Sequence, residues 1–281
     1  MESILEYALG TTISITGHGA RRAFAEVQRL ETILSRFGDT PLVRLNQRGR
    51  LEHPPIELLL ALEHALRVAA QTRGLITPTV LPALERIGYT ESWRSGTAFH
   101  DPARLPQPAP TSQGITAHPE LIALPAGVRL DLGGTAKTWI AERVSALLEG
   151  DFMLDFGGDL YARQHQPFTV RIETPDAAPL GYELPAGTWG ICTSSTQRRA
   201  TGDLHHLIDP RSGRALETKF VQVTVVAARA TAAEVIAKLA FFGMDQLTLY
   251  ARSFETLLAI DANSNLTTTS PFAARSPLET A

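Results

Sequence analysis

Apolar residues recur along this chain with two different periods. Thr11–Gly17 alternates β-branched and smaller polar residues, a period of two that predicts a strand with one buried face. From Ala20 to Phe37 the period changes. Phe24, Val27, Leu30, Ile33, Leu34 and Phe37 fall at helical spacing, which predicts an amphipathic helix. Pro54-Pro55 opens a second helix that runs to about Thr72, with proline in its favoured first turn, and Gly74 ends it. Leu121–Leu124 and Val128–Leu132 predict a hairpin. Gly133-Gly134 breaks it, and a helix follows to about Leu148. Phe152–Phe156, Thr169–Glu173, Thr188–Ser194 and Val221–Ala227 predict further strands, Thr231–Phe242 a helix, and Thr256–Asp261 a late strand. Strands and helices are mixed without regular alternation, and no repeat is visible. The expected fold is therefore α+β, with mainly antiparallel sheets and packed helices. Residues 100–114 are proline-rich and polar, the best candidate for a loop or boundary. The whole of 1–281 is expected to form a single domain.

Bulk properties narrow the function classes. With 281 residues, 44% hydrophobic and 20% charged, the chain has an ordinary globular composition. A net charge of −3 lacks the basic footprint of a nucleic-acid binder, so no nucleic-acid partner is expected. No apolar run is long enough for a membrane span. Met1–Tyr7 has no basic-then-apolar leader pattern and no cysteine near it to carry a lipid, so the expected location is the cytoplasm. The single cysteine, Cys192, excludes an intrachain disulfide and reads as a small core residue.

Candidate chemistry concentrates in the second half. Asp131-Leu132-Gly133-Gly134-Thr135-Ala136-Lys137 ends a strand, turns on two glycines and starts a helix. Free N–H groups at such a start suit phosphate, and Lys137 adds charge; a plain strand–helix turn with a solvated lysine fits the pattern equally well. Asp155-Phe156-Gly157-Gly158-Asp159 again ends a strand. Its backbone can lie against a flat ring, or Asp159 can simply satisfy local N–H groups. Thr193-Ser194-Ser195-Thr196-Gln197-Arg198-Arg199 offers hydroxyls and two guanidiniums, which fork onto phosphate oxygens or sit in solvent. His205-His206 precede the turn Asp209-Pro210-Arg211-Ser212-Gly213. A histidine there suits a general base, and Asp209 suits a turn former. Glu234 and Lys238, four apart on the later helix, can pair, by default as a surface ion pair of little energy.

In order and content these motifs resemble the ApbE-type FAD:protein FMN transferases. The resemblance spans almost the whole chain. Leu9-Gly10-Thr11-Thr12 is similar to the family's Met-Gly-Thr opening strand. Leu34-Ser35-Arg36-Phe37 with Val43-Arg44-Leu45-Asn46 is similar to its Leu-Ser-x-aromatic and Leu-Asn segment. Thr77-Pro78-Thr79-Val80 resembles its Asp-Pro-Thr-Val segment with Thr77 for Asp and Leu81 for the following Gly. Asp131–Lys137 matches its Asp-Leu-Gly-Gly-Ile-Ala-Lys-Gly turn with Thr138 for the last Gly. His206–Gly213 matches its His-Ile-Ile-Asp-Pro-x-Thr-Gly segment.

The resemblance implies that FAD is bound, and that its FMN half moves to a Ser or Thr hydroxyl of an acceptor protein with release of AMP. It implies His206 as the base. For the nucleotide it implies Phe37, Gly133, Gly134, Lys137, Gly157, Gly158, Asp159, Thr193, Ser194, Arg198 and Asp209, in a flavin cleft between sub-lobes. It also implies Mg²⁺, held by the Ala136 carbonyl and by an Asp/Thr pair on the last helix. Here that pair reads Glu234 and Lys238. A protonated lysine cannot ligate Mg²⁺, so Lys238, held by Glu234, is expected in the ion's place. The altered pair leaves open a second function, a flavin-binding protein that senses, stores or delivers FAD without efficient transfer. A third, slow hydrolysis of FAD to FMN and AMP, puts water in place of the hydroxyl.

Overall fold

The computed structural model describes residues 2–92, 105–175, 178–202, 204–250 and 252–269. Its centre is an eight-stranded, wholly antiparallel sheet whose strands lie side by side in the order of the chain. They are β1 (Glu2–Ala8), β2 (Thr11–His18), β3 (Glu149–Phe156), β4 (Asp159–Gln164), β5 (Gly187–Ser195), β6 (Phe220–Ala227), β7 (Thr256–Asp261) and β8 (Leu266–Thr269). The helices are α1 (Ala20–Leu34), α2 (Pro41–Arg48), α3 (Ile56–Gln71), α4 (Leu81–Arg86), α5 (Ala136–Ser145) and α6 (Ala230–Ala240). Five of the six are inserted between β2 and β3, and α6 between β6 and β7.

The alternation read at Thr11–Gly17 places Ile13 and Ile15 in the core with no exposed surface. The helical period of α1 does the same for Val27 and Leu30. Each such side chain contributes about 1.5–3 kcal/mol by leaving water. α1, α2, α3 and α5 share one apolar cluster with β2 and β3. A second cluster packs α6 on β5, β6 and β7. A hairpin, Phe168–Ile172 with Leu180–Leu184, covers the opposite face through Val170 and Leu184 against Ile191 and Val226. Gly190 is required where α6 meets the sheet, because a Cβ there would run into the backbone of Ala230.

Three local expectations are corrected. The first helix ends at Leu34, not Phe37. Ser35 turns to an extended backbone (φ −68°, ψ 138°) and its carbonyl accepts from the Thr40 hydroxyl, which frees Phe37 from the helix. The helix after Gly133-Gly134 ends at Ser145 and closes with tight i→i+3 turns up to Leu148. Val128–Leu132 is not a strand. The Leu130 N–H and carbonyl are taken by the Asn46 side chain at 2.7 and 2.8 Å, and the Asp131 N–H by Pro78. A side chain and a loop thus satisfy this backbone in place of a ladder. Leu121–Ala123 pairs instead with Arg50–Glu52 and Thr116–His118.

Residues 100–104 of the proline-rich segment lie outside the described residues. The remainder is a loop, tied down by Gln107 to Arg86, Ala109 to Pro210, and Pro110 to Thr79. Among the described residues no helix is long and apolar enough to cross a membrane.

Candidate active site

A cleft opens where the end of α1, the Asp131–Lys137 turn, the β3–β4 turn, β5 and α6 converge. The three sequence motifs, far apart in the chain, supply its walls. Gly133, Gly134, Ala136 and Lys137 come from the first, Gly157 and Asp159 from the second, and His206 from the third. Thr193, Ser194 and Arg198 line it from β5 and the loop that follows, Phe37 from the end of α1, and Glu234 and Lys238 from α6.

Local geometry explains each placement. Asp131 accepts the Gly133 N–H at 2.7 Å, which tightens the turn before α5. That turn leaves Lys137 in the first turn of the helix, pointing back to Asp159, with which it pairs. Asp155 accepts the Gly158 N–H at 2.7 Å across the β3–β4 turn. Gly157 has φ +71°, and a Cβ there would strike the Thr11 side chain of β2. No other residue fits that contact, so the glycine read from the sequence is needed by the fold as well as by any ligand.

The polar interior is a set of closed pairs. Glu234, only 1% exposed, receives Lys238 Nζ at 2.8 Å on Oε1 and the Thr138 hydroxyl on Oε2. The side chain of Lys238 is 16% exposed, so the default expectation of a surface ion pair is corrected: this pair is built into the packing of α6 on α5. Burial opposes the charge on Lys137, but Asp159 and Glu234 outweigh it and hold its pKa above the ordinary lysine value. For His206, burial drives the pKa well below the usual imidazole value, and Arg199, Lys238 and Lys137 push the same way. Its Nδ1 is sealed from solvent and has no hydrogen-bond partner among the described residues. Burial and the neighbouring cations thus favour the neutral imidazole at His206, the form a general base uses.

Other expected residues are placed differently. Asp209 faces its own turn, where its carboxylate binds Arg211 (Nη2 at 2.8 Å) and its carbonyl accepts the Gly213 N–H. It does not line the cleft, because the short hairpin Ile208–Asp209 with Arg214–Ala215 consumes its acceptors. Gly158 lies just behind the lining, its N–H already given to Asp155. Arg198 reaches the rim and pairs with Glu173 at 3.0 Å, both largely exposed. Cys192 is buried in β5, its thiol pushed well up by burial and donating to the Ala230 carbonyl, as its core reading implied.

Several cleft residues were missed. Arg36 is sealed between the Phe37 and Tyr89 rings (4.2 and 4.4 Å to their centroids) and paired with Asp131. One face of Phe37 is therefore already covered. A charged residue between Ser35 and Phe37 was the only signal for it. Glu31 accepts the Leu9 N–H at 2.8 Å, and burial raises its pKa. Behind the lining, the buried Thr138, which stands where the family resemblance has a glycine, holds the Glu234 carboxylate.

The residues present do not fit a divalent ion. Both Glu234 oxygens have donors, Lys238 supplies positive charge at the same carboxylate, and Asp159 is taken by Lys137. Among the described residues no group of three His, Cys, Asp or Glu side chains is placed to hold a metal.

Comparison with known proteins accords with this geometry. Residues 9–260 match the sequence profile of the ApbE family. The chain belongs to the ApbE family. A relative from Salmonella typhimurium, an FAD:protein FMN transferase, is 28% identical over 265 residues, covering 79% of this chain and 72% of that one. Another of the same name from Treponema pallidum is 25% identical over 273 residues (82% and 73%). Among solved structures, the ApbE protein of Thermotoga maritima superposes with a TM-score of 0.80 at 19% identity, over 96% of this chain and 97% of that one. The flavin transferase ApbE of Vibrio cholerae gives 0.73 at 20% identity (96% of each). The ApbE-family fold is thereby shared, an α+β architecture with antiparallel sheet as expected.

Proposed function

We propose that this ApbE-family protein transfers the FMN half of FAD to a Ser or Thr hydroxyl of an acceptor protein and releases AMP. The observation that carries the reading is the place of His206 on a cleft also lined by Lys137, Lys238 and Arg199, with burial favouring its uncharged form. The acceptor hydroxyl oxygen attacks the phosphorus on the flavin side of the diphosphate. One P–O bond forms, the bond to the bridging oxygen breaks, and that oxygen leaves with AMP. His206 takes the hydroxyl proton. The cations of the cleft offset negative charge as it moves to the leaving oxygen. The Gly157 turn and the Phe37 side of the cleft offer flat surfaces for the ring system.

Incubation with FAD and a Ser/Thr acceptor peptide, followed by intact-mass analysis, tests the reading. The expected result is a peptide heavier by one FMN, with AMP in solution. His206→Gln should slow transfer by about 10²–10⁴-fold, the usual worth of a general base, while FAD still binds. The closed state of Glu234 favours a second reading, FAD binding without transfer. FAD retained with no modified peptide, under conditions where an active relative modifies it, would select that reading.

A further inference from the structure

We infer that the cleft neutralises the phosphates of its nucleotide with its own ammonium groups, Lys238 standing where a divalent ion would otherwise bridge carboxylate and phosphate. Nucleotide binding then needs no metal. This rests on the reading of the cleft as a dinucleotide site.

Charge and occupancy carry the argument. A diphosphate brings concentrated negative charge and needs a cation beside it. A carboxylate as buried as Glu234 also needs a cation, since an unpaired buried charge is strongly disfavoured. In a metal site one ion would meet both needs. Here Lys238 Nζ already meets the carboxylate's need, at 2.8 Å from Oε1. An ammonium has three donors and gives one to Glu234, which leaves two for oxygens in the cleft that Lys238 lines. Thr138 fills Oε2, so the carboxylate is held in place without a metal.

Lys137 repeats the arrangement from α5, the helix packed on α6. It pairs with Asp159, feels the Glu234 charge and lines the same cleft. Two lysines and two carboxylates thus cancel, and the Arg36–Asp131 pair cancels as well. Arg199 remains on the lining, and among the described residues it makes long contacts to the Gly10 carbonyl and the Tyr89 hydroxyl (3.4 and 3.5 Å). Counting Glu31 and Arg198 as well, five cations (Arg36, Lys137, Arg198, Arg199, Lys238) line the cleft against four carboxylates (Glu31, Asp131, Asp159, Glu234), so the surplus charge is positive and belongs to the protein. A divalent ion entering beside Glu234 would have to displace Lys238 and face Lys137.

Calorimetric titration of the full chain with FAD, and separately with ADP, in EDTA and in Mg²⁺ tests this. The expected result is the same affinity in both buffers. Lys238→Thr should weaken binding in EDTA by about tenfold or more, the loss of one charge-assisted bond, and Mg²⁺ should restore part of it. The pair Lys238→Met with Glu234→Gln removes both charges and avoids a stranded carboxylate; it should bind weakly in either buffer. Wild-type binding that is much tighter in Mg²⁺ than in EDTA would overturn the inference. So would wild-type affinity in the double variant. If ADP binds in the expected way but FAD does not, the flavin reading fails and the inference stands. If neither binds, both fail.

Discussion

Two lysine–carboxylate pairs stand inside the cleft, while Arg198–Glu173 sits at its rim and Arg211–Asp209 in a turn away from it, and they are built for different ends. Lys137–Asp159 and Lys238–Glu234 are largely enclosed, with side-chain exposures of 20% and 6%, and 16% and 1%. Arg198–Glu173 is 56% and 70% exposed, and Arg211 in its pair with Asp209 is 66% exposed. The enclosed pairs tie separate elements together: α5 to the β3–β4 turn, and α6, through Thr138, back to α5. Arg211–Asp209 closes only its own turn, and Arg198–Glu173 joins two exposed side chains. Cation–carboxylate pairing therefore sets the shape of the site where it is enclosed and only joins surface side chains where it is exposed.

Breaking an enclosed pair should have the largest effect. Glu234→Ala strands Lys238 and removes the acceptor of Thr138. It should cost about 3–5 kcal/mol, as loss of one member of a buried pair does, read from denaturant unfolding. Glu234→Gln keeps the shape and an acceptor for Thr138, and should cost less. In the other two pairs, Glu173→Ala or Asp209→Asn should change stability by about 0–1 kcal/mol, within the error of the same measurement. Arg198→Ala should likewise leave unfolding unchanged while weakening FAD binding, because its guanidinium also lines the cleft.

pH sharpens the contrast further. His206 has its pKa depressed by burial first and then by Arg199 and Lys238. Its base form therefore persists as pH falls below the usual imidazole value of about 6.5, and the acid limb of the transfer rate should lie below that value. Stability should move in the opposite sense. As pH falls through the unfolded pKa, the unfolded chain binds a proton that folded His206 refuses, so this contribution to stability shrinks. His206→Gln should flatten the fall of Tm with acidification, measured by thermal melts across that range.

What the sequence revealed, and what it hid, follow the same division between local and assembled features. β2 and β3 were legible because one face of each is apolar, and β7 because it is a short β-rich run buried on both faces. β1 was not: its burial is nearly all exposed, so Glu2–Ala8 carries no alternation. β8, Leu266–Thr269, is hidden for the same reason. α2 is only eight residues long and announces itself by its Thr40 cap and Pro41 alone. In the site, the glycine turns were legible because positive φ and close approach are demanded locally, as at Gly157. The Glu234–Lys238 pair was legible from its spacing. That Thr138 would close the other oxygen, or that Arg36 would lie between two rings, depends on how helices meet, which spacing does not encode. Asp209 was read both as a turn former and as an implied ligand, two roles that look alike in sequence, and its carboxylate is held by Arg211 in its own turn.

The chain-order sheet has a kinetic side. Most neighbouring strands are joined by modest connections, but Ile13 pairs with Phe156 across the whole helical insertion. Closing so long a loop carries an entropic cost and slows the contacts that depend on it. Thr11 and Gly157 meet at that seam, and so do the two sides of the cleft. During refolding, amide protection in β4–β7 should therefore appear before nucleotide binding returns, since the cleft exists only once the last seam of the sheet has zipped.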